Sequence, residues 1–241
     1  KAGIGAFEFT SSPPKNVEQV KLNKFKLFFY GVKILNYDVL FLHQSYPSYY
    51  LLTKNPDKPI ILYYHGASNR IQRINFKISM MLYKNKISKI MAVSQAGINQ
   101  MKKMIGDISA EVIYNGVDTN FYNPDLSRPF TKGTPQLLFV SALRPYKKAS
   151  LLISFMPDLL KKYPKIHLQI VGTGEEKSSL ENLVKKLKLE NHVELTGRID
   201  DDELKLRYSS CDVYVSASTF EVCPVPTLEA MACGKPLVLF D

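Results

Sequence analysis

From residue 137 onward, short apolar runs at 137–142, 166–171, 193–196, 213–216 and 237–240 alternate with stretches at 149–162, 175–189 and 202–209 whose apolar positions recur every three or four residues. The runs read as buried strands and the stretches as amphipathic helices, with Pro157 placed to kink the first helix. Such alternation predicts a parallel sheet covered on both faces, because each parallel pair needs a crossover. The first half repeats the theme less regularly. Residues 37–42 and 60–64 are apolar runs, and 89–93 is a further strand with Ser94 placed to cap a helix running to Met104. In 69–83, Ile71, Ile74, Ile78, Met81 and Leu82 share one helix face beside Arg70, Arg73 and Lys77. Residues 17–35 alternate lysine and apolar positions at helical spacing, while 1–14 reads as a helix end at Gly3, a strand to Thr10 and a turn at Pro13 and Pro14. Residues 119–135 hold three prolines and a glycine, so the domain boundary is placed there, giving domains 1–125 and 126–241.

The stretch 218–236 carries the densest candidate chemistry. Glu221 and Glu229 have seven residues between them. Pro224 and Pro226 break the first part, so Glu221 is expected on a loop and Glu229 in the first turn of a short helix stopped by Gly234 and Pro236. A helix N-terminus leaves N–H groups unpaired and attracts anions, while carboxylates accept hydrogen bonds from hydroxyls. Together they suit a sugar nucleotide. Gly172 and Gly174 end one strand and open a helix, which permits close backbone approach to a ligand. His65 follows the strand at 60–64, where a parallel sheet gathers its ligands, and is better placed than His43.

The run E-V-C-P-V-P-T-L-E-A-M-A-C-G-K-P resembles the paired-glutamate element E-G-F-G-L-P-x-L-E-A-M-A-x-G-x-P of the family 4 (group 1) retaining glycosyltransferases, with seven positions of the second half in agreement. I-S-K-I-M-A-V-S-Q and E-V-I-Y-N-G-V-D, residues 111–118, are similar to two further family segments. The resemblance implies an α/β fold of two Rossmann-like domains with parallel sheets facing across a cleft (GT-B), shortened here at both ends: the first strand and last helices of the family lie outside this sequence. A rival reading of Gly3-Ile4-Gly5 as the family's glycine-rich loop near the donor stays open. S-A-L-R-P-Y-K-K is similar to G-R-L-x-x-x-K-G, in which arginine and lysine bind the donor diphosphate; Lys147 matches the lysine, Ala142 stands at the arginine, and Arg144 is the candidate substitute. The resemblance further implies that Glu221 orients the transferred sugar, Glu229 holds the ribose hydroxyls and His65 lies near the reacting face. It sets Arg198 and Ile199 against the nucleobase. Val222 and Pro224 replace the usual glycines, which leaves the amides of Cys223 and Val225 as the candidate backbone donors.

The net charge of +10 is uneven: residues 1–130 hold 17 basic against 8 acidic side chains, residues 131–241 hold 15 against 14. No acid lies between Asp57 and Asp107. A basic face of this kind points to an anionic membrane surface as partner, beside the plain reading of solvated lysines; without a basic-aromatic strand pattern or a recognition helix, nucleic acid is not expected. Three cysteines without a close pair indicate neither a disulfide framework nor a zinc site, and no apolar run reaches the length of a membrane span. A cytoplasmic protein, peripheral at the inner membrane face, is the expectation. Asp200-Asp201-Asp202 contains the D-x-D of metal-dependent transferases but precedes a helix, where acids are expected anyway. No metal or other cofactor is therefore expected. The expected substrates are a nucleotide-sugar donor and a sugar or lipid-linked acceptor. A noncatalytic or incomplete nucleotide-binding relative is the alternative, favoured by Ala142 and Pro224.

Overall fold

Strand–helix alternation becomes two parallel sheets, each with its own core, in a computed structural model that describes residues 2–6, 17–21, 38–44, 58–124 and 127–240. Two compact units divide between Ile113 and Tyr114.

In the first unit, β1 (Ala2–Ala6) pairs in parallel with β2 (Val17–Lys21). The helix end expected at Gly3 is therefore strand, and so is the start of the helix expected over 17–35, whose remainder lies outside the described residues. Two valines three apart fit either element, and a ladder with a non-local partner decides between them. The rival glycine-loop reading falls with the same strand, which contains Gly3 and Gly5. A second sheet runs β3 (Leu40–His43), β4 (Ile60–Tyr64), β5 (Lys89–Ala92), β6 (Glu111–Val112), all parallel and in sequence order. β3 was expected to be buried throughout, yet only Leu42 is; His43 is its last residue rather than the residue after it.

Helix α1 (Arg70–Tyr83) is capped by Asn69, whose side chain accepts from the Gln72 amide at 2.9 Å. α2 (Gln95–Ile105) is capped by Ser94, which accepts from the Gly97 amide at 3.2 Å. The core joins Ile60, Leu62 and Tyr64 to Phe76, Met80 and Tyr83 of α1 and to Ile98 and Met101 of α2. Thus α1 buries the face formed by Phe76, Met80 and Tyr83. Its isoleucine stripe is exposed, for a helix with two apolar stripes can give only one to its sheet.

The second unit holds β7 (Gln136–Val140), α3 (Ala149–Lys162), β8 (His167–Val171), α4 (Lys177–Lys186), β9 (Val193–Gly197), α5 (Asp201–Ser210), β10 (Val213–Ser216), α6 (Val225–Ala232) and β11 (Leu237–Leu239). Its strands lie in the order β11-β10-β7-β8-β9, all parallel. The chain winds from β7 out to β9, then returns to the other side of β7. Right-handed crossovers then place α3 and α4 on one face and α5 and α6 on the other. Phe139, Ile153, Met156, Leu168, Leu180 and Val184 fill the first layer; Leu138, Tyr208, Tyr214 and Ala230 fill the second. Tyr122 is buried in this second layer, with Val117 and Phe121 packed against it, so the segment after Tyr114 packs with the second unit. Among the described residues no helix is long and apolar enough to cross a membrane.

Candidate active site

The return of the chain past β7 creates a switch point between β7 and β10, where neighbouring strands send their following loops apart and leave a crevice at the carboxyl ends. The loop after β7 carries the turn Pro145–Lys147, and the loop after β10 carries Glu221. Each is fixed by backbone bonds. Leu143 N–H donates to the Thr173 carbonyl at 3.0 Å and Glu176 N–H to the Leu143 carbonyl at 3.1 Å. The Thr219 amide and hydroxyl both donate to the Tyr146 carbonyl, at 2.9 and 3.2 Å. Lys147 Nζ then reaches Glu221 Oε1 at 2.5 Å, with the Tyr146 ring 5.2 Å from the ammonium. The cation expected to meet phosphate and the carboxylate expected to meet sugar are thus each other's partners.

Gly172 and Gly174 act first on the protein itself. Gly172 has φ +137°, and a Cβ there would overlap the Ser141 carbonyl oxygen; one on Gly174 would overlap the Leu143 carbonyl. Their room is taken by the loop that leads to Lys147. Lys148, next in that loop, has φ +54° and ψ +34°, a left-handed conformation that suits the glycine of the resembling motif better than lysine. Arg144 and Ala142 are exposed on the same loop.

Glu229 lies farther into its helix than expected. α6 begins at Val225 with Pro226 in its first turn, which is permitted because the N–H there has no helical acceptor, so Glu229 is the fifth helical residue. Tyr208 Oη donates to Glu229 Oε2 at 2.7 Å, and the buried Tyr122 hydroxyl bonds to the same carboxylate. Burial raises the Glu229 carboxyl above its ordinary pKa, against the two tyrosine bonds, with Asp201 adding to the rise. The same burial raises Tyr208 and Tyr122. A carboxylate has about four acceptor positions, so this one stays competent to accept from further hydroxyls while its orientation is fixed.

Val225 opens α6, so its amide precedes the helical ladder, and Pro224 before it is extended. Asn115 Nδ2 donates to the Cys223 carbonyl at 2.8 Å and holds the motif loop from a position 108 residues earlier. Asn115, Tyr122, Tyr208 and Thr219 are the site-forming residues that sequence reasoning missed; only Asn115 carried a signal, as part of Asn115-Gly116-Val117-Asp118. Gly172 N–H donates to the Gly197 carbonyl at 2.9 Å, which ties the turn before Arg198 and Ile199 to the glycine loop. Arg198 is exposed and Ile199 packs against the Tyr122–Tyr208 layer. Asp200 caps α5, accepting from the Glu203 amide at 2.8 Å, and Asp202 pairs with Lys205 at 2.7 Å. The aspartate triplet is a helix entry.

In the first unit, His43 and His65 stand at the ends of β3 and β4. His43 Nδ1 and His65 Nε2 are 3.0 Å apart, their rings stack at 5.2 Å, and the Tyr63 ring meets His65 edge-on at 4.6 Å. Both histidines titrate below the ordinary value, His43 through burial, His65 through burial and then repulsion from His43.

Comparison with known proteins places the chain in a family. A family model described as glycosyl transferases group 1 matches residues 126–241, and one described as Glycosyltransferase Family 4 matches residues 12–121. An uncharacterized glycosyltransferase of Haemophilus influenzae is 39% identical over 105 residues, which is 44% of this chain and 29% of that protein. Phosphatidyl-myo-inositol mannosyltransferase of Mycolicibacterium smegmatis is 27% identical over 212 residues, 86% of this chain and 54% of that protein. The chain therefore spans only part of the length of each of these relatives. Among solved structures, Anabaena HepE in complex with UDP and glucose superposes with a TM-score of 0.67 at 23% identity, covering 83% of this chain and 58% of that one. That likeness establishes the fold, two Rossmann-like domains of the GT-B class.

Proposed function

This chain belongs to the group 1, family 4 glycosyltransferases, and from that membership we propose that it moves a sugar from a nucleotide-sugar donor to an acceptor hydroxyl with retention of anomeric configuration. The observation that carries the reading is the Lys147–Glu221 pair at the switch point, beside a carboxylate, Glu229, held in place by two tyrosines. The bond from the anomeric carbon to the diphosphate oxygen breaks and the bond to the acceptor oxygen forms on the same face. The acceptor's proton passes to the departing phosphate. Lys147 stabilises the charge that develops on the leaving diphosphate, with Arg144 on the same loop supplementing it. Glu221 orients the transferred sugar and Glu229 accepts from the ribose hydroxyls. The Cys223 and Val225 amides and the glycine turn at Gly172 and Gly174 complete the donor cradle, with Arg198 and Ile199 toward the base. On the first unit, His65 is assigned to the acceptor. No step needs a metal ion, because lysine and a helix end supply the positive charge.

The acceptor proposed is a sugar or a lipid-linked sugar, in keeping with the phosphatidyl-myo-inositol mannosyltransferase among the relatives, and the working place is the cytoplasmic side of a membrane. A noncatalytic nucleotide-binding role is the second reading, favoured by Ala142 and Pro224 at positions where the resembling motifs have arginine and glycine. Incubation with a panel of UDP-, GDP- and ADP-sugars, reading hydrolysis and transfer, separates the two. Turnover of any donor supports transfer; nucleoside diphosphate binding without turnover supports the second reading.

A further inference from the structure

The parallel register of β3 and β4 sets His43 opposite Tyr63, and side chains two apart along a strand share a face. His43, Tyr63 and His65 therefore turn to one side of the sheet, while Leu42, Leu62 and Tyr64 enter the core on the other. On that side His43 Nδ1 meets His65 Nε2 at 3.0 Å, and the Tyr63 ring lies edge-on to both imidazoles, at 5.7 and 4.6 Å. The main chain of His65 is held from the same place. Gln44, the residue after His43, donates from its backbone N–H to the Tyr63 carbonyl at 2.9 Å, accepts from the His65 amide at 3.3 Å and donates from Nε2 to the Gly66 carbonyl at 2.6 Å. It does so at φ +65°, in the left-handed region that residues other than glycine seldom adopt. Two consecutive residues at the end of β3 thus fix both the ring and the backbone of His65.

A neutral imidazole donates from one nitrogen and accepts at the other, so the bond made at Nε2 decides whether Nδ1 is a donor or an acceptor. We propose that His43 is a positioning residue: its bond to Nε2 holds His65 in one orientation and one tautomer, and leaves Nδ1 as the nitrogen offered to a substrate hydroxyl. The proposal deepens the assignment of His65 to the acceptor and rests on it. Packing alone does not account for the contact. An apolar side chain at position 43 would lie against Phe41 and Tyr63 equally well, but would leave His65 Nε2 to water and both tautomers open.

The test compares the whole chain with His43→Leu, which keeps the bulk without the nitrogen, and His43→Asn, whose side-chain amide reaches the position of Nδ1. Nitrogen NMR of the imidazole rings, recorded where both are neutral, is expected to find His65 in one tautomer in the parent, with its two shifts far apart. The shifts should draw together in His43→Leu and separate again in His43→Asn. With a donor that turns over in the sugar-nucleotide panel, His43→Leu should lower kcat by about 10- to 100-fold. The KM for the donor should not change, since its proposed ligands lie in the second unit, and His43→Asn should recover most of the loss. His65→Ala supplies the reference. If it transfers as well as the parent, the assignment of His65 fails and the proposal with it; if it is impaired and His43→Leu is not, the proposal alone fails. A double variant no slower than His65→Ala supports the proposal, whereas losses that multiply overturn it, because His43 then acts without His65. Where no donor turns over, the transferase reading fails and the nitrogen shifts decide: a parent His65 already averaged between tautomers, or shifts untouched by His43→Leu, overturn the proposal.

Discussion

Lys147 Nζ lies 2.5 Å from Glu221 Oε1, although the two residues stand on different loops, one after β7 and one after β10. The ion pair bridges the two loops at the switch point. Under the proposed function each member has another partner when a sugar nucleotide binds: the ammonium at phosphate, the carboxylate at sugar hydroxyls. Donor binding must therefore exchange one charge-assisted contact for two.

That exchange gives the first prediction. Lys147→Ala is expected to reduce transfer by about 10²–10³ while leaving the melting temperature nearly unchanged, since the pair is partly solvated and such pairs add little stability. Glu221→Gln should lower turnover but bind nucleoside diphosphate as well as or better than the parent, because Lys147 no longer has a competing carboxylate. Single-turnover kinetics with calorimetry tests both. Transfer within a few-fold of the parent in Lys147→Ala would remove that residue from the site.

Glu229 has its pKa raised by burial, and the sign has a direct consequence. The folded chain holds the proton more tightly than the unfolded chain, so stability from this group is greatest in acid and declines as pH rises through the ordinary value of 4.5 to the higher folded one. At neutral pH the buried charge is a net cost. Glu229→Gln is expected to melt at the same or a higher temperature near neutrality yet to gain less from added nucleoside diphosphate. A variant that melts lower and binds normally would assign Glu229 to the fold rather than to the donor.

Gly174→Ala tests whether the glycine turn positions Lys147. Its Cβ would collide with the Leu143 carbonyl, so the loop must shift or the turn must strain, at about 1–3 kcal/mol. Turnover should fall more than stability alone accounts for, and a crystal structure of the Gly174→Ala variant should find Lys147 displaced from Glu221. An unmoved loop with full activity would show that the turn has slack.

Much of this architecture is legible in the residues. Strand and helix order in the second unit follows from apolar periodicity, because each buried strand is bounded by a polar turn and each helix gives one face to a sheet. Glu221 and Lys147 were found through motif resemblance rather than periodicity. What was hidden depends on contacts distant in sequence. Asn115 reaches Cys223, and Tyr122 and Tyr208 reach Glu229, yet no local pattern marks a tyrosine that will turn its hydroxyl to a carboxylate. α1 carries two apolar stripes: the isoleucines give the clearer period, and Phe76, Met80 and Tyr83 give the better fit to the sheet. Pro226 misled because its position in the first turn, where proline is tolerated, depends on where the helix starts.

A chelator is expected to leave transfer intact. Asp200 is occupied as the cap of α5 and Asp202 by Lys205, so the aspartate triplet already serves the helix it precedes. Assay before and after EDTA decides the point. Activity lost to EDTA and restored by manganese or magnesium would overturn both metal independence and the account of the triplet.

The histidine pair sets a pH dependence of the opposite kind from Glu229. Both His43 and His65 titrate below 6.5, so near neutrality both rings are neutral and the 3.0 Å contact is a hydrogen bond with one ring as donor. Unfolding returns them to the ordinary value. Between 6.5 and their lower folded values the unfolded chain binds more protons, so stability is full above that range and falls as the solution is acidified through it. His167, also lowered by burial, adds the same sign in the second unit, so the slope of the parent alone does not assign the effect. Carboxylates with depressed pKa values, Glu194 and Asp212, act only below 4.5 and 3.8, whereas Glu229, raised above 4.5, acts with the opposite sign. The discriminating variant is His43→Gln, which removes the repulsion that contributes to the lowering at His65. Its melting temperature should depend less steeply on pH between about 7 and 5, and the His65 ring resonance should titrate closer to 6.5 than in the parent. A His65 titration that does not move would mean burial alone lowers it, and His43 and His65 ring resonances that titrate at or above 6.5 in the parent would refute the lowered values themselves.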